Sequence, residues 1–219
     1  RGLEDGSEKR NAIYNVLSSL ARHNTEKAKS YYRALIDPYQ KKMLARTISQ
    51  KIAENKPAEA LQWLESLPDQ AVVKFARGEL VAKQIHRDVN WVLENLVSSW
   101  NEEQLNGLAP AIVKQLSRRD LAAAEEWAKS LTYEKARSRA LRSLAYEWVK
   151  HDAYEASEWI STLEPGNTRD QAIKVLLYEI RENDPVAAFA WATSVSEPSK
   201  RKTMARQSID VMQRKGQSD

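Results

Sequence analysis

Apolar and polar residues alternate along this chain with a helical period, and the whole pattern returns every 32 residues. Leu44 and Ile48 belong to an apolar series at helical spacing, which predicts a first amphipathic helix, A. Pro57 opens a second helix, B, and Pro68 ends it, because proline is tolerated in the first turn of a helix but not further along. The basic unit is therefore predicted to be a pair of helices.

Three positions of helix B carry the repeat most clearly. A small residue is followed by an aromatic residue three positions later and by an aliphatic residue four positions beyond that. A fixed period of this length indicates an array of helical hairpins. The small position is Ala28, Ala60, Val92, Ala124, Ala156 and Ala188, the aromatic position is Tyr31, Trp63, Asn95, Trp127, Trp159 and Trp191, and helix A repeats Val16, Ile48, Leu80, Ile112, Leu144 and Leu176.

The predicted fold is all-α: one right-handed α-solenoid domain over residues 1–219. A lone capping helix over about 200–214 would shield the end of the stack, as terminal repeats must. The turn before helix B carries Asn24, Asp88, Asp120, Asp152 and Asp184, which are predicted N-caps. The six hairpins are placed at about 8–36, 39–68, 71–100, 103–132, 135–164 and 168–196.

The third hairpin breaks the pattern. Asn95 replaces the aromatic residue, Trp100 lies off register, and Gly107 and Pro110 predict that the next helix A starts late or kinks. One interpretation is a decayed repeat with compensating tryptophans. The other is a bend that exposes Trp100 to a partner, since exposed aromatic residues anchor interfaces.

Two helices per repeat, with a small residue early in helix B and an aromatic residue beyond it, resemble the tetratricopeptide family. The segment from Asp184 to Trp191 looks closer to a bacterial variant rich in alanine and tryptophan. The resemblance covers about 8–214 and implies an architecture, without naming a ligand. The period here is 32 residues, against about 34 in that family, so HEAT-like stacking stays an alternative.

Composition excludes several classes of function. The chain has no cysteine, which rules out disulfides and thiolate metal sites, and its net charge of +4 is small for a dedicated nucleic-acid binder. No catalytic motif, metal-ligand spacing or cofactor motif is recognisable, so neither an enzyme nor a cofactor is expected. No apolar run approaches the ~20 residues of a membrane span. Cytoplasm and periplasm both remain open, and the start at Arg1 suggests a processed product or a fragment of a longer chain.

One surface of the A helices is the candidate site. Basic and tyrosine side chains recur there in phase, and stacked repeats would align them into a ridge suited to an acidic peptide or helix. The alternatives are a face kept charged for solubility and a surface that tracks a phosphate backbone. The candidate partner-binding residues are Arg46, Arg142, Tyr146, Lys174, Tyr178 and Arg206, with Trp100 from the irregular repeat.

These observations predict a non-catalytic scaffold that binds a peptide or helical segment of another protein in a concave groove. A HEAT-like nucleic-acid-binding module is one alternative. A scaffold domain of a larger enzyme or envelope assembly is another.

Overall fold

A computed structural model describes residues 6–216, with the side chains of residue 8 and of residues 11–216. This part of the chain folds into thirteen α-helices and one short 3₁₀ helix, and it contains no β-strand. The all-α prediction is confirmed. The helices are α1 Gly6–His23, α2 Thr25–Ala34, α3 Pro38–Ile52, α4 Pro57–Glu65, α5 Gln70–Arg87, α6 Val89–Asn95, α7 Glu102–Ser117, α8 Leu121–Ser130, α9 Glu134–His151, α10 Ala153–Thr162, α11 Asn167–Ile180, α12 Pro185–Thr193 and α13 Pro198–Gly216.

Five of the six residues that precede a B helix act as side-chain N-caps, and Lys56 before α4 does not. The side chain of Asp120 accepts a hydrogen bond from the Ala123 N–H at 3.0 Å, and the same arrangement recurs at the four equivalent positions. These bonds satisfy backbone donors that have no partner inside the helix. All five predicted caps are therefore confirmed, the others being Asn24, Asp88, Asp152 and Asp184.

Removing one such cap is expected to have a small, local cost. Asp120→Ala should lower the free energy of unfolding by about 1 kcal/mol, because the first turn of α8 loses its side-chain acceptor. Chemical denaturation measures the change. Glu126→Ala, a substitution within the same helix that touches no cap, is the control. A cost for the control equal to that for Asp120→Ala would contradict the capping role.

The repeated small residue of the B helices is buried wherever it occurs. The alanines at this position and Val92 have no exposed surface, as expected where two helices approach closely. The aromatic position reaches a neighbouring hairpin in two cases. The Trp63 ring meets Tyr32 edge-on at 5.9 Å, and the Trp159 indole N–H donates to the Glu125 carboxylate at 2.9 Å.

The repeated apolar position of the A helices is buried in five of its six copies. Ile48 and its equivalents in the later helices are at most 1% exposed, whereas Val16 in α1 is 68% exposed. Within the described residues α1 packs against α2 and α3, and this leaves the other side of Val16 in contact with solvent. The repeat pattern thus predicts burial correctly for all copies except the first.

Packing divides the chain into two units, Arg1–Val92 and Leu93–Asp219. In the first unit α3 packs against α1 and α5, and α2 and α4 each pack against the A helix before them and the A helix after them. In the second unit α9 packs against α7 and α11, while α13 packs mainly against α12. The division falls inside α6, in the hairpin whose sequence pattern fails.

The irregular segment differs from its prediction at α7. This helix begins at Glu102, before Gly107 and Pro110, so the expectation of a late start is wrong. Asn101 caps the helix in a reciprocal capping box with Gln104, and this fixes the start ahead of the proline. Pro110 is accommodated inside the helix, and its carbonyl accepts a hydrogen bond from the Ser143 hydroxyl at 3.3 Å.

None of the helices in residues 6–216 combines the length and the apolar character that crossing a membrane requires.

Candidate functional site

Arg46 is the one candidate residue in the first unit, and its side chain is already engaged there. Its guanidinium donates a hydrogen bond to the Tyr14 hydroxyl at 3.2 Å. The same group lies 3.9 Å from the Glu79 carboxylate. Tyr14 stands one repeat before Arg46, so α1, α3 and α5 are linked by polar contacts along one face. These contacts give Arg46 a role in holding its own unit together.

Trp100 lies in the second unit and is only 6% exposed. The expectation that the irregular hairpin exposes this side chain is wrong. Trp100 follows the short 3₁₀ helix Val97–Ser99, and its backbone N–H donates to the Val97 carbonyl at 3.1 Å. Its burial agrees with the other interpretation, in which the tryptophan compensates for a decayed repeat.

A basic cluster lies on α9 around Arg142. Lys135, Arg139 and Arg142 are spaced by four and three residues, which places them on one face of the helix. Together with polar residues from the helices on either side, they line a cavity of about 470 Å³, called the α9 pocket below. Its remaining lining residues are Asn106, Glu134, Ser138, Asn167 and Gln171.

A second cavity separates α11 from α13 and contains two further candidates, Lys174 and Tyr178. This α11–α13 pocket has a volume of about 380 Å³ and also contains Arg181 and Lys200. Gln171 lines both pockets, so the two adjoin. The rest of the lining comes from Ser199, Thr203, Met204 and Gln207 of α13.

The charges of the two pockets are strongly one-sided. Six of the lining side chains are basic and one, Glu134, is acidic. Tyr178 projects from the rim of the α11–α13 pocket with 87% of its surface exposed. A surface of this kind attracts a negatively charged ligand and offers it an aromatic contact.

The two remaining candidates, Tyr146 and Arg206, are exposed residues of the second unit that line neither pocket. The Lys150 ammonium lies 4.6 Å from the centroid of the Tyr146 ring, a cation–π contact on the exposed side of α9. The structure therefore brings Arg142, Lys174 and Tyr178 to adjoining pockets and leaves Tyr146 and Arg206 outside them.

Some basic residues near this surface serve the fold instead. The guanidinium of Arg137 donates to the Leu131 carbonyl at 2.9 Å, and Arg201 donates to the Val195 carbonyl at 3.1 Å. Both carbonyls lie just beyond the C-terminal end of a B helix, where the helix itself provides no donor. The in-phase arginines at these positions therefore satisfy the ends of preceding helices.

Reasoning from the repeat missed four of the six basic lining residues. Arg181 and Lys200 have no basic counterpart one repeat before them, so a search for in-phase charges passes over both. Lys135 and Arg139 could have been found, because their spacing to Arg142 is that of a single helix face. A search within α9 alone would have identified this cluster.

In the described part of the chain, no group of three or more His, Asp or Glu side chains is placed to hold a metal ion. Comparison of the sequence with models of protein families and with curated proteins, and of the fold with solved structures, gives no match.

Proposed function

We propose that this protein is a non-catalytic interaction scaffold built of stacked helical hairpins, an α-solenoid of the tetratricopeptide-like type. Its ligand is an acidic segment of another protein, bound where the α9 pocket and the α11–α13 pocket adjoin. The charge of these pockets, six basic side chains against one acidic, is the observation that carries the proposal.

The helix boundaries support the solenoid part of the proposal. In the first unit α3 begins at residue 38 and α5 at residue 70, 32 residues later. In the second unit α7, α9, α11 and α13 begin at residues 102, 134, 167 and 198, so the intervals are 32, 33 and 31 residues. Within each unit successive A helices up to α11 pack against one another, as neighbouring repeats of a solenoid do.

The pocket chemistry supports a protein ligand. Arginine pairs with carboxylates through two parallel hydrogen bonds, and both Arg139 and Arg142 are present in the α9 pocket. Side-chain amides and hydroxyls between the charges, such as those of Asn106 and Ser138, can bind the backbone of an extended peptide. Tyr178 adds a large contact area, and its side chain loses little conformational entropy on binding because it has few rotamers.

A nucleic acid is a weaker fit to the same surface. A phosphate backbone favours an uninterrupted basic track, yet Glu134 lines the α9 pocket and Asp210 is exposed on α13 one turn beyond Arg206. The aromatic residues that would stack on bases are also few, since Tyr178 is the aromatic side chain that lines the two pockets.

Selection of peptides from a random displayed library on the wild-type protein tests the proposal. Asp and Glu should be enriched among the selected peptides. Arg142→Glu combined with Lys174→Glu should abolish their binding, since the reversal changes the charge of the surface by four units. Arg119→Glu combined with Lys215→Glu is the matched control, because both residues are exposed and lie outside the two pockets.

Two results would contradict the acidic-segment proposal. One is a selected set without acidic enrichment, and the other is binding that survives the double reversal at Arg142 and Lys174. A nucleic-acid function would appear as nuclease-sensitive material captured from a lysate, with an affinity that falls by about 0.7 to 0.9 logarithmic units per phosphate contact for each tenfold rise in salt.

A further inference from the structure

The α11–α13 pocket owes its existence to the position of α13, which packs mainly against α12. Polar contacts near both ends of α13 join it to α11 and to the turn that follows α11. Near the start, the Lys200 ammonium lies 3.4 Å from the Asn167 side-chain oxygen. Near the end, Arg214 donates to the Glu182 carboxylate at 3.0 Å. Between these contacts the α11–α13 pocket lies between the two helices, whereas α9 packs directly against α11.

The cationic groups of this cavity are incompletely paired. Within the described residues Lys174 has no ion pair or hydrogen bond, and the buried Nε of Arg181 has no hydrogen-bond acceptor. The Lys200 ammonium contacts the Asn167 side chain and lies 3.9 Å from the Glu197 carboxylate. Neither Asn167 nor Glu197 lines this cavity. The unpaired Lys174 ammonium is therefore available to an anionic ligand that enters the cavity.

The lining of the α11–α13 pocket favours a ligand with more than one negative charge. Three basic side chains and no acidic one line the pocket, so a single carboxylate would leave most of the positive charge uncompensated. A phosphate monoester carries about 1.5 to 2 negative charges at neutral pH and presents three acceptor oxygens. Lys174 and Arg181 lie two turns apart on one face of α11 and supply charged donors, and the Tyr178 hydroxyl between them adds a neutral one. Lys200, held near the start of α11 by Asn167, adds to the positive charge of the pocket.

We propose that the α11–α13 pocket is a phosphate-binding subsite that receives a phosphorylated serine or threonine within the acidic segment. The proposal rests on the proposed function, because the adjoining α9 pocket binds the rest of that segment. Phosphorylation of the partner would then strengthen its capture by this protein.

Fluorescence anisotropy with three short labelled peptides tests the subsite. The peptides share one flexible acidic sequence and differ at a central position, which is phosphoserine, glutamate or serine. The phosphoserine peptide should bind at least about tenfold more tightly than the glutamate peptide, because charge-assisted hydrogen bonds to a dianion are the stronger ones. Lys174→Gln and Arg181→Gln should each reduce this ratio towards one.

Three controls separate the subsite from the rest of the surface. Arg139→Gln, in the α9 pocket, should weaken both charged peptides alike and leave their ratio unchanged. Arg181→Lys should restore part of the preference, and its circular dichroism alongside that of Arg181→Gln reports whether the end of α11 still folds. Competition with inorganic phosphate distinguishes a site for the free ion from a site for a phosphorylated side chain. If the site binds the free ion, phosphate should displace the peptide at concentrations near the peptide's own dissociation constant.

Equal affinities for the phosphoserine and glutamate peptides would overturn the phosphate-binding subsite. If both peptides bind the wild-type protein and neither binds the Arg142→Glu/Lys174→Glu variant, the acidic-segment proposal still stands. Failure of the wild-type protein to bind either charged peptide would count against both proposals. Full displacement by equimolar inorganic phosphate would overturn the assignment to a phosphorylated side chain.

Discussion

Replacing Ile48 with alanine is expected to lower the free energy of unfolding by about 2 to 5 kcal/mol. Ile48 has no exposed surface and lies on α3, which packs against α1 and α5. Removing its outer carbons therefore leaves a cavity between helices that cannot fully close. Chemical denaturation should show the loss as a lower midpoint of the unfolding transition.

Val16→Ala is the matched control, because Val16 is the repeat equivalent of Ile48 in α1. Its side chain is 68% exposed, so truncating it should change the free energy of unfolding by no more than about 0.5 kcal/mol. Equal losses for the two variants would contradict the described placement of α1. A negligible loss for Ile48→Ala would contradict the burial of the repeated apolar position itself.

The helical elements of this protein could be predicted because local signals mark the start of each B helix. An aspartate or asparagine before helix B accepts backbone hydrogen bonds within its own turn, and Pro57 and Pro185 stand in the first turn of their helices. Such signals need no information about distant parts of the chain. This is why the all-α class and all five caps followed from the sequence.

Features that depend on a neighbouring element could not be predicted in the same way. Val16 fits the apolar pattern, but its exposure depends on which helices lie beside α1. For Trp100 the sequence left two interpretations open, exposure to a partner or compensation for a decayed repeat, and its 6% exposure agrees with the second. The start of α7 was missed because the capping box at Asn101 outweighs the effect of a proline two turns later.

Part of the candidate site could be predicted from the repeat, and the part that depends on packing could not. Arg142, Lys174 and Tyr178 repeat in phase, and the structure places each of them in one of the two adjoining pockets. Arg46 has the same phase, but Glu79 and Tyr14 engage it within the first unit. The α11–α13 pocket itself depends on the packing of α13 against α12, which no periodicity of the sequence encodes.

A buried carboxylate joins α11 to the connection that leads into α13. Asp170, near the start of α11, is 1% exposed. One of its oxygens accepts a hydrogen bond from the Ser196 N–H at 2.8 Å, and the other accepts one from the Glu197 N–H at 3.1 Å. Both donors belong to the connection between α12 and α13. A buried carboxylate is costly unless it is hydrogen-bonded, and these two bonds provide that compensation while they fix the connection to α11.

Asp170→Ala is expected to lower the free energy of unfolding by about 2 to 3 kcal/mol, because two backbone N–H groups lose a charged acceptor. Amide hydrogen exchange should show the loss locally, as faster exchange at Ser196 and Glu197 and along α13. Asp170→Asn keeps one acceptor oxygen and should cost about half as much. Asp210→Ala, an exposed change on α13, should leave exchange unchanged.

Asp170→Ala also tests the proposed phosphate-binding subsite and the acidic-segment proposal. If Asp170 holds α13 beside α11, its loss should widen the α11–α13 pocket and reduce the preference for the phosphoserine peptide, while the α9 pocket keeps its charge and its affinity for the glutamate peptide. Unaltered exchange along α13 in Asp170→Ala would show that packing against α12 alone fixes the helix, and the pocket would then be expected to keep its preference too.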